Sequence, residues 1–133
     1  MRVELTKDFT FESAHRLPMV PSDHKCSRMH GHSYRIEVRI AGEVDAKLGW
    51  LVDFGEIAAQ VEPLLKRELD HRVLNDVAGL ENATAENLAR WLWERRQAPP
   101  PPSQRRVWDR ARAVTPDLRR RSAPSSWRGW RGR

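Results

Sequence analysis

Apolar and polar residues alternate along Val3-Glu4-Leu5-Thr6-Lys7-Asp8-Phe9-Thr10-Phe11, with apolar side chains at 3, 5, 9 and 11. That period of two predicts a strand with one face on a core, and His15 keeps the odd parity if the strand runs on. A second alternation, His32-Ser33-Tyr34-Arg35-Ile36-Glu37-Val38-Arg39-Ile40, is apolar at even positions. It places His30 and His32 on the face of Tyr34, Ile36 and Val38. Ala41-Gly42-Glu43-Val44-Asp45 reads as a turn. Beyond it the period lengthens: Phe54, Ile57, Ala58, Val61, Leu65 and Leu69 recur at spacings of three and four, a helix with one stripe against the sheet and Asp53 as its N-cap. Pro63 falls inside, where a proline costs about 3 kcal/mol, so a kink or a break into two pieces is expected there. Thr84 caps a second helix, with Glu86 suiting the dipole of its first turn and Leu88, Trp91 and Leu92 on its inner face. The tryptophans read as core or interface bulk. The order strand, strand, helix, helix predicts an α+β domain.

Charge divides the chain. The formal net charge is +6, yet residues 1–94 carry 12 Lys+Arg against 16 Asp+Glu, whereas residues 95–133 carry 12 Arg against 2 Asp. The first segment is large enough for one domain with its own core. The second opens with Pro99-Pro100-Pro101-Pro102, has no lysine, and interleaves Trp127 and Trp130 with arginine. It reads as a poorly ordered Arg/Pro-rich tail. An Arg-rich segment with tryptophans also suits phosphate contacts and base stacking. A third reading is a shifted reading frame in a GC-rich gene; of these the nucleic-acid role is the least favoured. One cysteine forms no intrachain disulfide, which points to a reducing, cytoplasmic setting. The amino terminus enters an amphipathic strand at once, so no signal peptide is read, and no apolar run approaches the roughly 18 residues of a membrane span.

Candidate chemistry gathers on the two strands. If they pair, the imidazoles of His15, His30 and His32 converge at one end of the buried face, and Gly31 allows close backbone approach. Three histidines with a fourth position open suit catalytic rather than structural zinc. The alternative is two solvated loop histidines and one satisfied core histidine. Cys26 lies just ahead, among Lys25, Ser27 and Arg28. It reads either as a small buried hydrophobe or as a thiol whose thiolate the flanking cations favour. Asp70 and His71 are adjacent; they read as a helix end, with His71 favouring the negative C-terminus, or as a proton-relay pair.

Four segments together resemble the 6-pyruvoyltetrahydropterin synthase superfamily: Phe11-Glu12-Ser13-Ala14-His15, Cys26-Ser27-Arg28-Met29-His30-Gly31-His32-Ser33-Tyr34, Val52-Asp53-Phe54 and Leu69-Asp70-His71-Arg72-Val73-Leu74-Asn75. The short spacing from cysteine to histidines is similar to the bacterial branch, 6-carboxytetrahydropterin synthase of queuosine biosynthesis. The resemblance implies the T-fold, an antiparallel sheet with two helices on one face, assembled as a hexamer. It implies Zn2+ on His15, His30 and His32, acting as a Lewis acid on the side-chain hydroxyls of 7,8-dihydroneopterin triphosphate. Cys26 would move protons, with Asp70-His71 as the opposing acid/base pair. The outcome would be loss of triphosphate and acetaldehyde to leave 6-carboxy-5,6,7,8-tetrahydropterin. A pyruvoyl-type synthase, which stops at triphosphate elimination, is the alternative within the family; a non-catalytic zinc-binding paralogue with a basic tail is the alternative outside it. The family's closing hairpin has no clear counterpart here. Only Arg106-Val107-Trp108-Asp109 resembles its last strand, with Asp109 where a pterin-anchoring glutamate is expected. Residues after about Gln97 are therefore expected to be largely disordered and assembly to be impaired.

Overall fold

The computed structural model describes residues 1–96 and 111–117 of the chain. Two strands of 14 residues, β1 (Arg2–His15) and β2 (His30–Glu43), form its centre. They pair antiparallel along their whole length, from Arg2 opposite Glu43 to His15 opposite His30. Both outrun the alternating segments that predicted them. The turn expected at Ala41–Asp45 begins later, because Arg2, Val3 and Glu4 pair with Glu43, Gly42 and Ala41. The chain then turns at Asp45, whose carboxylate accepts the Lys47 and Leu48 amides at 2.8 and 2.9 Å. Gly49 closes this turn with φ of +78°, a conformation glycine adopts without a Cβ penalty.

Helix α1 (Phe54–Leu64) starts where Asp53 accepts the Gly55 amide at 2.7 Å, as an N-cap should. The helical path divides into two pieces beside Pro63, as expected, with α1 ending at Leu64. It changes hydrogen-bond register just beyond it, into a π-helical turn over Leu65–Leu69 that ends with the Asp70 amide on the Leu65 carbonyl at 2.8 Å. Ile57, Val61, Leu65 and Leu69 form the buried stripe. Phe54, expected in that stripe, is instead 45 % exposed. The Lys7 ammonium, on the one charged position of the core-facing parity of β1, sits 5.8 Å from the Phe54 ring and 5.6 Å from that of Phe9. The pair takes the border of the core instead of its interior.

A short strand β3 (Arg72–Val73) runs parallel to β1 at Ser13 and Ala14. Helix α2 (Ala85–Arg96) follows, with the Thr84 hydroxyl accepting the Asn87 amide at 3.2 Å as predicted. Leu88, Trp91 and Leu92 are buried, and the Trp91 indole donates to the Ala78 carbonyl at 2.9 Å. The core joins these side chains to Phe9, Phe11, Tyr34, Ile36, Val38 and Ile40 of the central strands. A fourth strand, β4 (Ala111–Asp117), pairs antiparallel with β2, so the sheet order is β3-β1-β2-β4. This strand lies within the segment expected to be a largely disordered tail; the rest of that segment beyond Arg96 lies outside the described residues. The Arg-Ala-Val-Thr stretch alternates only weakly, which hid it, but β2 leaves its outer backbone edge to be paired. Arg106–Asp109, the stretch expected to be strand, lies outside the described residues.

Candidate active site

The strand register brings together three histidines that could hold a metal ion. His15 ends β1, His30 opens β2, and the two are direct cross-strand partners; His32 stands one rung further in, opposite Ser13. All three share the parity of the core residues, so their rings turn to one point. One nitrogen from each lies within 4.8 Å of the others. The imidazoles pack edge to face, with centroids 4.6 to 5.0 Å apart.

Hydrogen bonds to the other ring nitrogens settle the tautomers. His15 Nδ1 lies 2.7 Å from the Ala83 carbonyl and His30 Nδ1 lies 2.7 Å from the Arg28 carbonyl. A carbonyl oxygen only accepts, so each Nδ1 carries the hydrogen and each neutral ring presents a lone pair at Nε2. Those two Nε2 atoms face each other at 3.1 Å. Two lone pairs at that distance repel unless a cation lies between them. Burial disfavours the charged form of His15 and lowers its pKa; the Ala83 hydrogen bond opposes this, and His30 adds to it. A metal ion held between the two nitrogens would relieve that repulsion. Tetrahedral zinc with bonds of about 2.0–2.1 Å would hold its ligand nitrogens about 3.4 Å apart; the His15–His30 pair at 3.1 Å is near that value, and the three-nitrogen group lies within 4.8 Å. The backbone carbonyls behind His15 and His30 also match the outer partners that fix metal-binding histidines.

Tyr34 floors the site. Its ring is edge-on to His15 and His32, at 6.0 and 5.7 Å, and stacks on Phe11 at 4.9 Å. Burial raises its phenol pKa well above the ordinary value, so the side chain is neutral beneath the histidines.

Cys26 lies in the segment connecting β1 to β2, on the short 3-10 turn Lys25–Ser27. Its backbone is held at both ends: its carbonyl accepts the Leu17 amide at 2.7 Å, and its own amide donates to His24 Nδ1 at 3.1 Å. The thiol is free and half-buried, and it is not among the three side chains placed to hold a metal. That placement separates it from the ligands while keeping it on the loop that joins His15 to His30.

Asp70 and His71 do meet. Asp70 Oδ2 lies 3.0 Å from His71 Nδ1, while Oδ1 accepts the Glu12 amide at 3.0 Å. The His71 amide in turn donates to the Glu12 carbonyl at 2.6 Å. The pair is therefore docked on β1 three residues before His15, about 10 Å along the strand. His71 has φ of 55°, the left-handed region, which costs a non-glycine residue on the order of 1 kcal/mol and is held here by its bonds to Glu12 and Asp70. Partial burial pushes the Asp70 pKa up, but the Glu12 amide and the His71 ring and amide outweigh it and hold the carboxyl below its ordinary range. Ser13, fully buried, donates its hydroxyl to the Leu69 carbonyl and so ties the π-helical turn to the same strand. A cavity of about 400 Å³ opens beside Asp70, floored by Phe9, Phe11 and Leu65.

Every residue expected from sequence to carry chemistry is thus placed, except Asp109, which lies outside the described residues. Sequence reasoning missed the supporting groups: Ser13, the Ala83 carbonyl, and Asn75, whose side-chain amide holds the chain just after His15. Asn75 stood within a quoted motif, so its position was visible although its role was not.

Residues 4–108 match the 6-pyruvoyl tetrahydropterin synthase family. The chain is 42% identical over 91 residues to the 6-carboxy-5,6,7,8-tetrahydropterin synthase of Synechocystis sp., covering 65% of this chain and 69% of that protein. It is 34% identical over 95 residues to the dihydroneopterin monophosphate aldolase of Pyrococcus furiosus, covering 71% and 75%. Among solved structures it is similar to the 6-pyruvoyl tetrahydropterin synthase of Caenorhabditis elegans, with a TM-score of 0.73, 25% identity and 90% of each chain covered. With the fold, the histidine group and these matches in agreement, the chain belongs to the 6-pyruvoyl tetrahydropterin synthase family.

Proposed function

We propose that this chain is a zinc-dependent lyase that converts 7,8-dihydroneopterin triphosphate and one water to 6-carboxy-5,6,7,8-tetrahydropterin, acetaldehyde and triphosphate, as in queuosine biosynthesis. The observation that carries the metal reading is the pair of Nε2 lone pairs facing each other at 3.1 Å. The name of the Synechocystis relative, at 42% identity, favours the carboxy product over the pyruvoyl one. His15, His30 and His32 would hold the zinc, which when bound would supply Lewis acidity toward the substrate's side-chain oxygens. Cys26 acts as base toward the carbon beside such an oxygen, and its pinned backbone fixes where the thiol can reach. His71 exchanges protons on the opposing side through Nε2. Asp70 holds the His71 tautomer in which Nδ1 carries the hydrogen, so Nε2 is free to accept one first.

Assembly and setting follow the same reading. Among the described residues, β1 from Arg2 to Phe11 is paired on one side only, by β2. That open edge favours addition of a strand from another copy, and a homo-oligomer. No helix among the described residues is long and apolar enough to cross a membrane, and a cytoplasmic enzyme is in keeping with the single free thiol.

The test is product analysis. Purified, zinc-loaded protein incubated with 7,8-dihydroneopterin triphosphate should yield acetaldehyde and the 6-carboxy pterin. The triple variant His15→Ala, His30→Ala, His32→Ala should lose both bound zinc and turnover. A 6-pyruvoyl product without acetaldehyde would assign the other branch. Stoichiometric zinc persisting in the triple variant would overturn the metal site.

A further inference from the structure

We infer that Asn75 is the positioning residue that aims His15 at the metal, although it touches neither metal nor imidazole. The inference rests on the zinc reading of the three histidines. Beyond Ala14, paired by Val73, β1 has no strand neighbour on that side among the described residues, and the Asn75 side chain takes over the pairing. Its Oδ1 accepts the Arg16 amide at 2.9 Å and its Nδ2 donates to the Arg16 carbonyl at 2.9 Å, as a facing peptide group would. The residue so clamped is the one that follows His15.

The same Nδ2 donates to the Glu81 carbonyl at 3.0 Å. Glu81 lies two residues before Ala83, whose carbonyl receives the His15 Nδ1 hydrogen at 2.7 Å. Asn75 therefore ties together the two pieces of chain whose separation decides whether that hydrogen bond forms: the backbone carrying His15 and the loop carrying its acceptor. The other end of the loop is fixed independently, by Thr84 capping α2 and by Asn87 Nδ2 donating to the Asn82 carbonyl at 2.8 Å. Without Asn75, the loop keeps its helix anchor but loses its register on β1. His15 then loses the partner that keeps the hydrogen on Nδ1 and the lone pair on Nε2. His30 takes its corresponding bond from Arg28, in a segment Asn75 does not touch, and so serves as an internal control.

Two measurements on the full chain test this. Zinc affinity is read by chelator competition, and the ring tautomers of His15 and His30 by long-range proton–nitrogen correlation on the metal-free protein. Asn75→Ala should weaken zinc binding by about 10–100-fold, the usual effect of losing an outer partner of a metal ligand. His15 should become a tautomer mixture while His30 keeps its hydrogen on Nδ1. Asn75→Asp retains the acceptor for the Arg16 amide but turns an oxygen with no hydrogen to donate toward the Arg16 and Glu81 carbonyls; it should weaken zinc binding at least as much as Asn75→Ala, and it decides the matter if Asn75→Ala does not fold. Zinc affinity within twofold of wild type with His15 unchanged, in either folded variant, overturns the inference. So does a change that appears equally at His30, which would mark a general loosening. If the wild-type chain itself binds no zinc, the metal reading fails, and the tautomer contrast alone judges whether Asn75 positions His15.

Discussion

Asp70 has two jobs that a single substitution can separate. Its Oδ1 holds the Glu12 amide at 3.0 Å and its Oδ2 holds His71 Nδ1 at 3.0 Å. Asp70→Ala removes both. A hydrogen bond to a charged group contributes about 1.5–3 kcal/mol, and since the Asp70 side chain is 32 % exposed the lower part of that range applies. The contact with His71, itself 72 % exposed, adds less than about 1 kcal/mol. The expected loss at neutral pH is therefore about 2 kcal/mol. Asp70→Asn keeps an oxygen for the Glu12 amide and should cost about 1 kcal/mol. Its NH2 group, however, faces His71 Nδ1 and forces that nitrogen to accept, which moves the ring hydrogen to Nε2. Turnover should then fall by at least about 100-fold, with the fold nearly intact. The pH dependence has a definite sign. The folded-state pKa of Asp70 is lowered, so its stabilisation is fully present above the unfolded value of about 3.9 and is lost as pH falls through the folded value. Urea denaturation should thus show a gap between wild type and Asp70→Ala at pH 7 that closes below about pH 4. Single-turnover product formation gives the second axis. A gap that ignores pH, or Asp70→Asn turning over at the wild-type rate, would refute the reasoning.

Three further outcomes follow from the same geometry. Cys26→Ala should keep one zinc per chain by elemental analysis while turnover drops about 100-fold or more; loss of the metal would make the thiol a ligand. Tyr34→Phe should be neutral or stabilising by about 1 kcal/mol in thermal denaturation, since the buried Tyr34 hydroxyl has no hydrogen-bond partner among the described residues. A clear destabilisation would show that the hydroxyl is in fact bonded. Gly79→Ala should destabilise by more than about 1 kcal/mol, because Gly79 has φ of +88° and an added Cβ would lie 3.2 Å from the Trp91 ring; a Tm equal to wild type would contradict it.

The parts of the structure written in periodicity were legible from sequence. Alternation located β1 and β2 and put the three histidines on one face, because parity along a strand is a local property. The caps Asp53 and Thr84 were legible for the same reason, each bonding within a few residues of itself. What escaped depends on contacts distant in the chain. Pro63 announced a break in the helix but not its form; the π-helical turn goes with Leu65 and Leu69 both reaching the core and with Ser13, 56 residues away, holding the Leu69 carbonyl. β3 is only two residues long, too short for any period, and exists because Ser13 and Ala14 offer it an edge. Phe54 matched the helical stripe, but its place was decided by Lys7 on the neighbouring strand. The Asp70-His71 contact needed a left-handed His71, a conformation that sequence does not advertise for a histidine.

The pairing of His15 with His30 has a consequence for how the hairpin is zipped. A slip of one residue between β1 and β2 would expose the apolar face and scatter the imidazoles at once, so burial alone forbids it. A slip of two residues is different: parity survives, Phe9, Phe11, Tyr34 and Ile36 stay inside, and hydrophobic burial discriminates poorly against it. Such a slip would bring His15 opposite His32 or Arg28 in place of His30, and would pull the three nitrogens out of their common point. A metal ion bound there would favour one register among those the core tolerates, since only that register offers all three ligands together. Zinc titrated into refolding chains would then count correctly threaded hairpins, and its removal during refolding would leave a fraction of molecules compact, strand-rich and misthreaded.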